Sequence, residues 1–396
     1  MGSSRLFFSA AFVAMSCGSA HAACPAANQY SFLFNSQAAA TLSYATTYSY
    51  TATNPSAQTQ NFTVGFITNG LSSSIIAGAQ MPAISTLINN DNASRFLVIG
   101  GIFTGRTADV SVNNRVVVTT FTFPTPVRDV TITTSDIDFT TNQFRDWFMA
   151  VGRNGASTYI PTLVTPFGQV NNTGPFTNAS SSLTLGPVAT PLAVTAAQGA
   201  GTGASPNTNT TGDITLSFAQ PVTSVEVRYG NYPLQTGETA TGQQGISIKG
   251  VSFCPMPSVT LTKTNAPWSD PVNGTTNPKM IPGADLIYTL TVANANTSPV
   301  DLSTTVLTDP LPSQVTFYNG DIDDAGPLTT NYDFNAGTTG LTFGAANLTY
   351  SNNAGATYVY TPAAGYDPAV TALRFAPVGS MAANSSFTLK FRARIK

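Results

Sequence analysis

The sequence predicts an all-β protein made of two β-sandwich domains, and three observations carry that prediction. Short segments alternate apolar and polar residues with a period of two, while no long stretch repeats its apolar residues every 3.6 positions. Clusters of Gly, Pro and Asn separate those segments, as turns separate the strands of a sandwich. Two prolines in Cys254-Pro255-Met256-Pro257 then divide the chain, because proline fixes φ and donates no ladder hydrogen bond.

Residues 1–22 read as a signal peptide. Arg5 supplies a positive charge, residues 6–15 an apolar run, and Ala20-His21-Ala22 the small-x-small pattern before a cleavage point. The run is shorter than the roughly 20 apolar residues that cross a bilayer, so no membrane span is expected. Lipidation at Cys17 is the competing reading, but Ala14 stands where such signals usually carry Leu. The mature chain then begins near Ala23 and is secreted or held at the cell surface.

Residues 23–254 form the first expected domain. The form F-x-x-P-V-x-x-V occurs at 123–130 and again at 218–225. Pro cannot donate to a ladder and marks a corner between strands, so two such corners predict equivalent hairpins in a jelly-roll-like sandwich. Coincidence is the alternative for so short a pattern. Ile214, Leu216 and Phe218 alternate as a strand, and the Thr-, Gly- and Ala-rich stretch 196–212 reads as a long surface loop. Residues 255–257 are the Pro-rich linker and 258–396 the second domain. Its clearest strands are Leu286, Tyr288, Leu290, Val292 and the C-terminal Phe387, Leu389, Phe391, Ala393, Ile395. The intervening Lys390, Arg392 and Arg394 give the last strand a cationic opposite face. That strand either closes its own sandwich or adds to the edge of a neighbouring copy.

Composition excludes several function classes. Charged residues are 9% of the chain and net charge is −2, which argues against nucleic acid as a partner. The single histidine, His21, lies in the expected signal peptide, so the mature chain has none. Ser-His-Asp and Cys-His catalysis and His-ligated zinc or iron sites are thereby ruled out. Glycoside hydrolysis needs two paired carboxylates. Glu226 sits in an alternating strand with no evident acid partner, and no enzyme is expected. Of three cysteines, Cys17 leaves with the signal; Cys24 and Cys254 remain and in an exported chain form one disulfide, the alternative being two unpaired thiols.

The second domain carries more specific motifs. Pro282-Gly283-Ala284-Asp285 precedes the strand Leu286-Ile287-Tyr288-Thr289-Leu290-Thr291-Val292-Ala293-Asn294, and Asp309-Pro310-Leu311-Pro312 follows. These residues resemble the bacterial conserved-repeat surface domain, the "domain of unknown function eleven" family, over about a third of the chain. The resemblance implies an immunoglobulin-like sandwich on an exported bacterial protein, used as a stalk, spacer or adhesive element. It implies no catalytic residues. Pro282-Gly283 sets a turn, and Asp309-Pro310 reads as a turn before an edge strand.

The candidate metal ligands are Asp136, Asp138 and Asp146, with Asn142 nearby. Positions 136 and 138 of a strand point the same way and offer hard oxygens suited to Ca²⁺. The alternative is that these acids cap turns or pair with Arg128, Arg145 and Arg153. Asp321, Asp323 and Asp324 form a second acidic loop that lacks the closing Glu of a calcium hand and reads better as a turn. Lys263 either joins an Asn in an isopeptide bond or extends to water from its strand end. The function expected is a non-enzymatic, exported bacterial cell-surface structural or adhesive protein. Its partners are envelope or surface-assembly components, with self-association and glycans as further candidates. The alternative is a secreted carbohydrate-binding protein using the first β-sandwich domain, where exposed tyrosines of the aromatic set Tyr30, Phe32, Phe34, Tyr44, Tyr48 and Tyr50, or Trp147, stack on sugar rings.

Overall fold

The computed structural model describes residues 14–16, 24–105, 115–140, 142–164, 177–178, 197–200, 204–231, 242–295, 298–324, 326 and 328–396. Among them the chain is all-β: strands joined by turns, with three short 3-10 helices and no α-helix. No helix among these residues is long and apolar enough to cross a membrane. The chain divides between Met256 and Pro257 into two compact units, inside the Pro-rich segment.

In the first unit the strands, apart from the short pair Ile75–Ile76 and Ala79–Gln80, join into one hydrogen-bonded network closed on itself. Its axis is the strand Val116–Ser135, which changes neighbours partway along. Residues 116–122 lie between strands Thr59–Asn69 and Val222–Asn231; residues beyond 127 lie between Ile214–Phe218 and Gln244–Pro255. The change falls at an irregularity between Thr122 and Val127, which contains Pro124 and Pro126. This corrects the expected pair of equivalent hairpins. The first F-x-x-P-V-x-x-V segment is a bulge within one strand, because an unpaired bulge residue tolerates the missing proline N–H. Only the second segment is a turn, between Phe218 and Val222. The stretch 196–212 is likewise not all loop, since strand Ala197–Ala200 pairs with residues 147–150 of strand Phe144–Asn154.

The inward faces of these strands fill a main core rich in aromatic rings, and Ile76, Met81, Ala83, Ile88 and Val98 form a smaller second cluster. Phe32 packs against Phe62 at 5.3 Å between ring centroids, and Phe123 against Phe253 at 4.8 Å. Burying each such ring contributes about 1.5–3 kcal/mol. Cys24 and Cys254 are joined in a disulfide with 6.1 Å between their Cα atoms, so the bridge ties the start of this unit to its last strand.

The second unit is a sandwich of two sheets. One contains strands Val259–Ser269, Asp285–Asn294, Ser385–Ile395, Val315–Asn319 and Gly365–Asp367, with Tyr332–Asn335 also on the C-terminal strand. The other contains Val306–Pro310, Ala372–Phe375 and Leu348–Ser351, and the short strand Ala14–Ser16 pairs along the outer edge of Val306–Pro310. Asp309 and Pro310 therefore end one strand, and residues 311–314 lead from them into Val315–Asn319. The C-terminal strand is central: it pairs along its length with Asp285–Asn294 and on its other side with Val315–Asn319 and Tyr332–Asn335. It closes its own sheet. Phe387, Leu389, Phe391, Ala393 and Ile395 are all buried, as the alternation requires, and meet Leu307, Leu373 and Phe375 of the facing sheet.

Candidate functional site

A group of ionisable side chains in the first unit forms where Val116–Ser135 ends. Asp136 follows directly, with φ at 71°, a left-handed conformation that Asp adopts more readily than most residues. Asp136 and Asp138 are thus not alternate positions of a strand, as the sequence reading had them, since the strand ends at Ser135. Ile137 between them is buried in the core, and its N–H donates to the Gly212 carbonyl at 3.0 Å. A Cβ on Gly212 would stand 2.8 Å from the Ile137 nitrogen, so only glycine permits that approach. With Ile137 anchored, both flanking carboxylates line a single cavity of about 420 Å³, together with Gln244, Gln243, Ser205 and Asn207.

Each carboxylate has a different use. Asp138 Oδ2 accepts the Ser205 backbone N–H at 2.7 Å. The Asp138 N–H donates to Asp146 Oδ2 at 3.1 Å, and the Asp146 N–H returns a bond to the Asp138 carbonyl at 2.9 Å. Asp146 is fully buried on strand Phe144–Asn154, and its Oδ1 accepts the Tyr229 hydroxyl at 2.5 Å. Asp213 Oδ2 accepts the Asn90 side-chain amide at 2.7 Å. By contrast, Asp136 Oδ1 is buried with no hydrogen-bond partner, and so are both amide atoms of Gln244.

Burial controls the protonation of this group. It pushes the Asp136 carboxyl up to about 8, reinforced by the charges of Asp138 and Asp213. It lifts Asp138 to about 6 against the opposing bonds from Ser205 and Asp146. Asp146 is driven well above the carboxylate range, by burial first and the Asp138 charge second. Low local dielectric disfavours each charged form, and neighbouring acids compound the effect.

Of the expected metal ligands, Asp146 stands apart on this geometry. Asp146 spends both oxygens fastening the 136–138 turn to Tyr229 and the backbone. Among the described residues no group of three or more His, Cys, Asp or Glu could hold a metal ion. Arg153, weighed as a partner for these acids, binds Glu226 at 2.8 Å instead. Arg228 holds the other oxygen of Glu226 at 2.8 Å. Burial pushes the Glu226 carboxyl up, but the two arginines outweigh it and leave the group below its ordinary value, unsuited to act as a base.

The remaining candidates fall into structural roles. Asp321 caps the Asp323 N–H at 3.3 Å, and Asp324 joins the Arg392 guanidinium at 2.7 Å and the Trp268 indole at 3.3 Å. Lys263 is mostly withdrawn from water, its side chain 12% exposed. Its ammonium lies 2.6 Å from Asp309 Oδ1 and over the Tyr288 ring at 4.5 Å, bridging the two sheets. Of the aromatic residues proposed to stack on sugars, Tyr30, Phe32, Phe34 and Trp147 are core residues. Tyr44 and Tyr50 are partly buried against the same interior, the Tyr44 hydroxyl donating to the Gly100 carbonyl at 2.8 Å, and Tyr48 is partly buried. Sequence reasoning missed Tyr229 and Gln244. Tyr229 continues the inward alternation of Val225 and Val227, and a buried tyrosine hydroxyl needs a polar partner, so it was findable. Gln244 offers no such signal.

Compared with family models and with curated proteins, the chain matches none.

Proposed function

We propose that this protein is a non-enzymatic, exported structural or adhesive component of a bacterial cell surface. The observation that carries the reading is the Cys24–Cys254 disulfide, which spans 230 residues and belongs to an oxidising compartment. The ionisable side chains support the non-enzymatic half of the reading. Glu226 is clamped by two arginines, Asp146 by Tyr229, and Asp309 by Lys263, so these acids serve packing and registry. The resemblance of the second unit to conserved-repeat surface modules adds a role as stalk, spacer or adhesive element. Its partners are envelope components or further copies of the chain.

Surface exposure is the decisive property. Intact cells of the source organism, treated with a membrane-impermeant amine label, are expected to yield labelled protein, with Lys279 and Lys390 among the accessible sites. Protein that is labelled only after the cells are lysed would contradict the proposal.

A further inference from the structure

We propose that the cavity beside the 136–138 turn binds one hard divalent cation, Ca²⁺, through the carboxylates of Asp136 and Asp138 and the side-chain carbonyl of Gln244, with water completing the shell. The argument rests on what these groups lack. Asp136 is 6% exposed, Gln244 is 2% exposed, and both face the same cavity. Asp136 Oδ1 and both amide atoms of Gln244 have no hydrogen-bond partner. Native structures seldom leave buried polar atoms unsatisfied, and a buried carboxylate is costly unless a cation or a donor meets it. Here two carboxylates line one cavity, and a third acid, Asp146, is hydrogen-bonded to the Asp138 N–H beside them. A cation neutralises that accumulation, whereas a neutral ligand does not.

The donors select the ion. Carboxylate and amide oxygens, without sulfur or imidazole, suit a hard cation. Ca²⁺ takes six to eight oxygens in irregular arrangements, whereas Mg²⁺ demands near-ideal octahedral geometry. A cavity of about 420 Å³ has room for the ion and several waters, each of about 30 Å³. The ligands come from two places far apart in sequence, the end of Val116–Ser135 and the start of Gln244–Pro255. The ion therefore staples the 136–138 turn to the last strand of the unit. This site differs from an acidic triad: Asp146 orients the turn through the Asp138 N–H but does not touch the ion.

The test uses the oxidised mature chain, stripped with chelator and titrated with CaCl₂ at neutral pH by calorimetry, with the melting temperature followed in parallel. One Ca²⁺ per chain and a higher melting temperature are expected. Asp136→Asn and Asp138→Asn keep the shape of each side chain, remove a charge, and are expected to abolish both effects in a protein that still folds. Gln244→Leu is expected to weaken binding roughly tenfold or more. Asp321→Asn, in the second acidic loop, is expected to change nothing. Wild-type protein that takes up no Ca²⁺ at millimolar concentration would overturn the proposal, leaving water as the occupant. Binding that survives Asp136→Asn together with Asp138→Asn, or that disappears in Asp321→Asn, would overturn it equally.

Discussion

Replacing Cys24 and Cys254 by serine is expected to lower the stability of the first unit by roughly 5 kcal/mol, from the chain entropy of a closed loop this long. The bridge spans 230 residues, nearly the whole unit. Its effect falls on the unfolded chain, since the neighbouring native contacts persist without it. Strand Tyr30–Leu33 still pairs with Gln244–Pro255, and the Cys24 N–H still donates to Asp129 Oδ2 at 3.0 Å. The two tryptophans report the two units separately, Trp147 in the first and Trp268 in the second. In a Trp268→Phe background, loss of the bridge is expected to lower the denaturant midpoint of Trp147 fluorescence. The slope is expected to steepen, because the unfolded chain expands. An unchanged midpoint would mean that the bridge does not constrain the unfolded chain.

In the second unit the largest single effect is expected at Asp285. This carboxylate is buried at the start of strand Asp285–Asn294 and receives Arg392 at 2.5 Å, Arg394 at 2.9 Å and the Tyr366 hydroxyl at 2.8 Å. Asp285→Ala strands the nearly buried Arg392, whose remaining carboxylate, Asp324, is half in solvent. Breaking a buried pair from one side costs about 3–5 kcal/mol. Asp333→Ala, which frees the far more exposed Lys390, is expected to cost less than about 1 kcal/mol. Burial alone would push the Asp285 carboxyl up, but hydrogen bonds from Arg394, Arg392 and Tyr366 outweigh it and hold the group below its ordinary 3.8. A carboxyl depressed on folding contributes stability that is fully present above the unfolded value and is lost as pH falls through the folded one. The wild type is therefore expected to lose stability below about pH 4 through this group, and Asp285→Ala to lack that component. Melts of the Trp147→Phe protein, read at Trp268, measure both. A cost at pH 7 no larger than that of Asp333→Ala would refute the network's importance.

The same ion network marks the limit of what the sequence conveys. Alternation in 386–396 assigns the buried face correctly, because period-two burial depends only on the strand itself. The opposite face reads as cationic and solvated, yet Arg392 is buried and stands over the Tyr318 ring at 4.4 Å. Its environment depends on register with Asp285, a pairing across 107 positions that no local pattern encodes. The acidic site behaves in the same way. That 136, 138 and 146 come together was legible from their spacing and residue type. That Asp146 is consumed internally depends on Tyr229, 83 residues away, and Gln244 enters through a third strand. Proline misled for a different reason: Pro124 and Pro126 break a ladder only where their nitrogens face a partner, and a bulge removes that requirement.

The most direct test of the account is the state of the protein recovered from its own cells. Fractionation followed by intact-mass analysis without reductant is expected to find the chain in the envelope or external fraction. It is expected to begin at Ala23 and to carry Cys24 linked to Cys254. A cytosolic chain that retains residues 1–22, with Cys24 and Cys254 as free thiols, would contradict it.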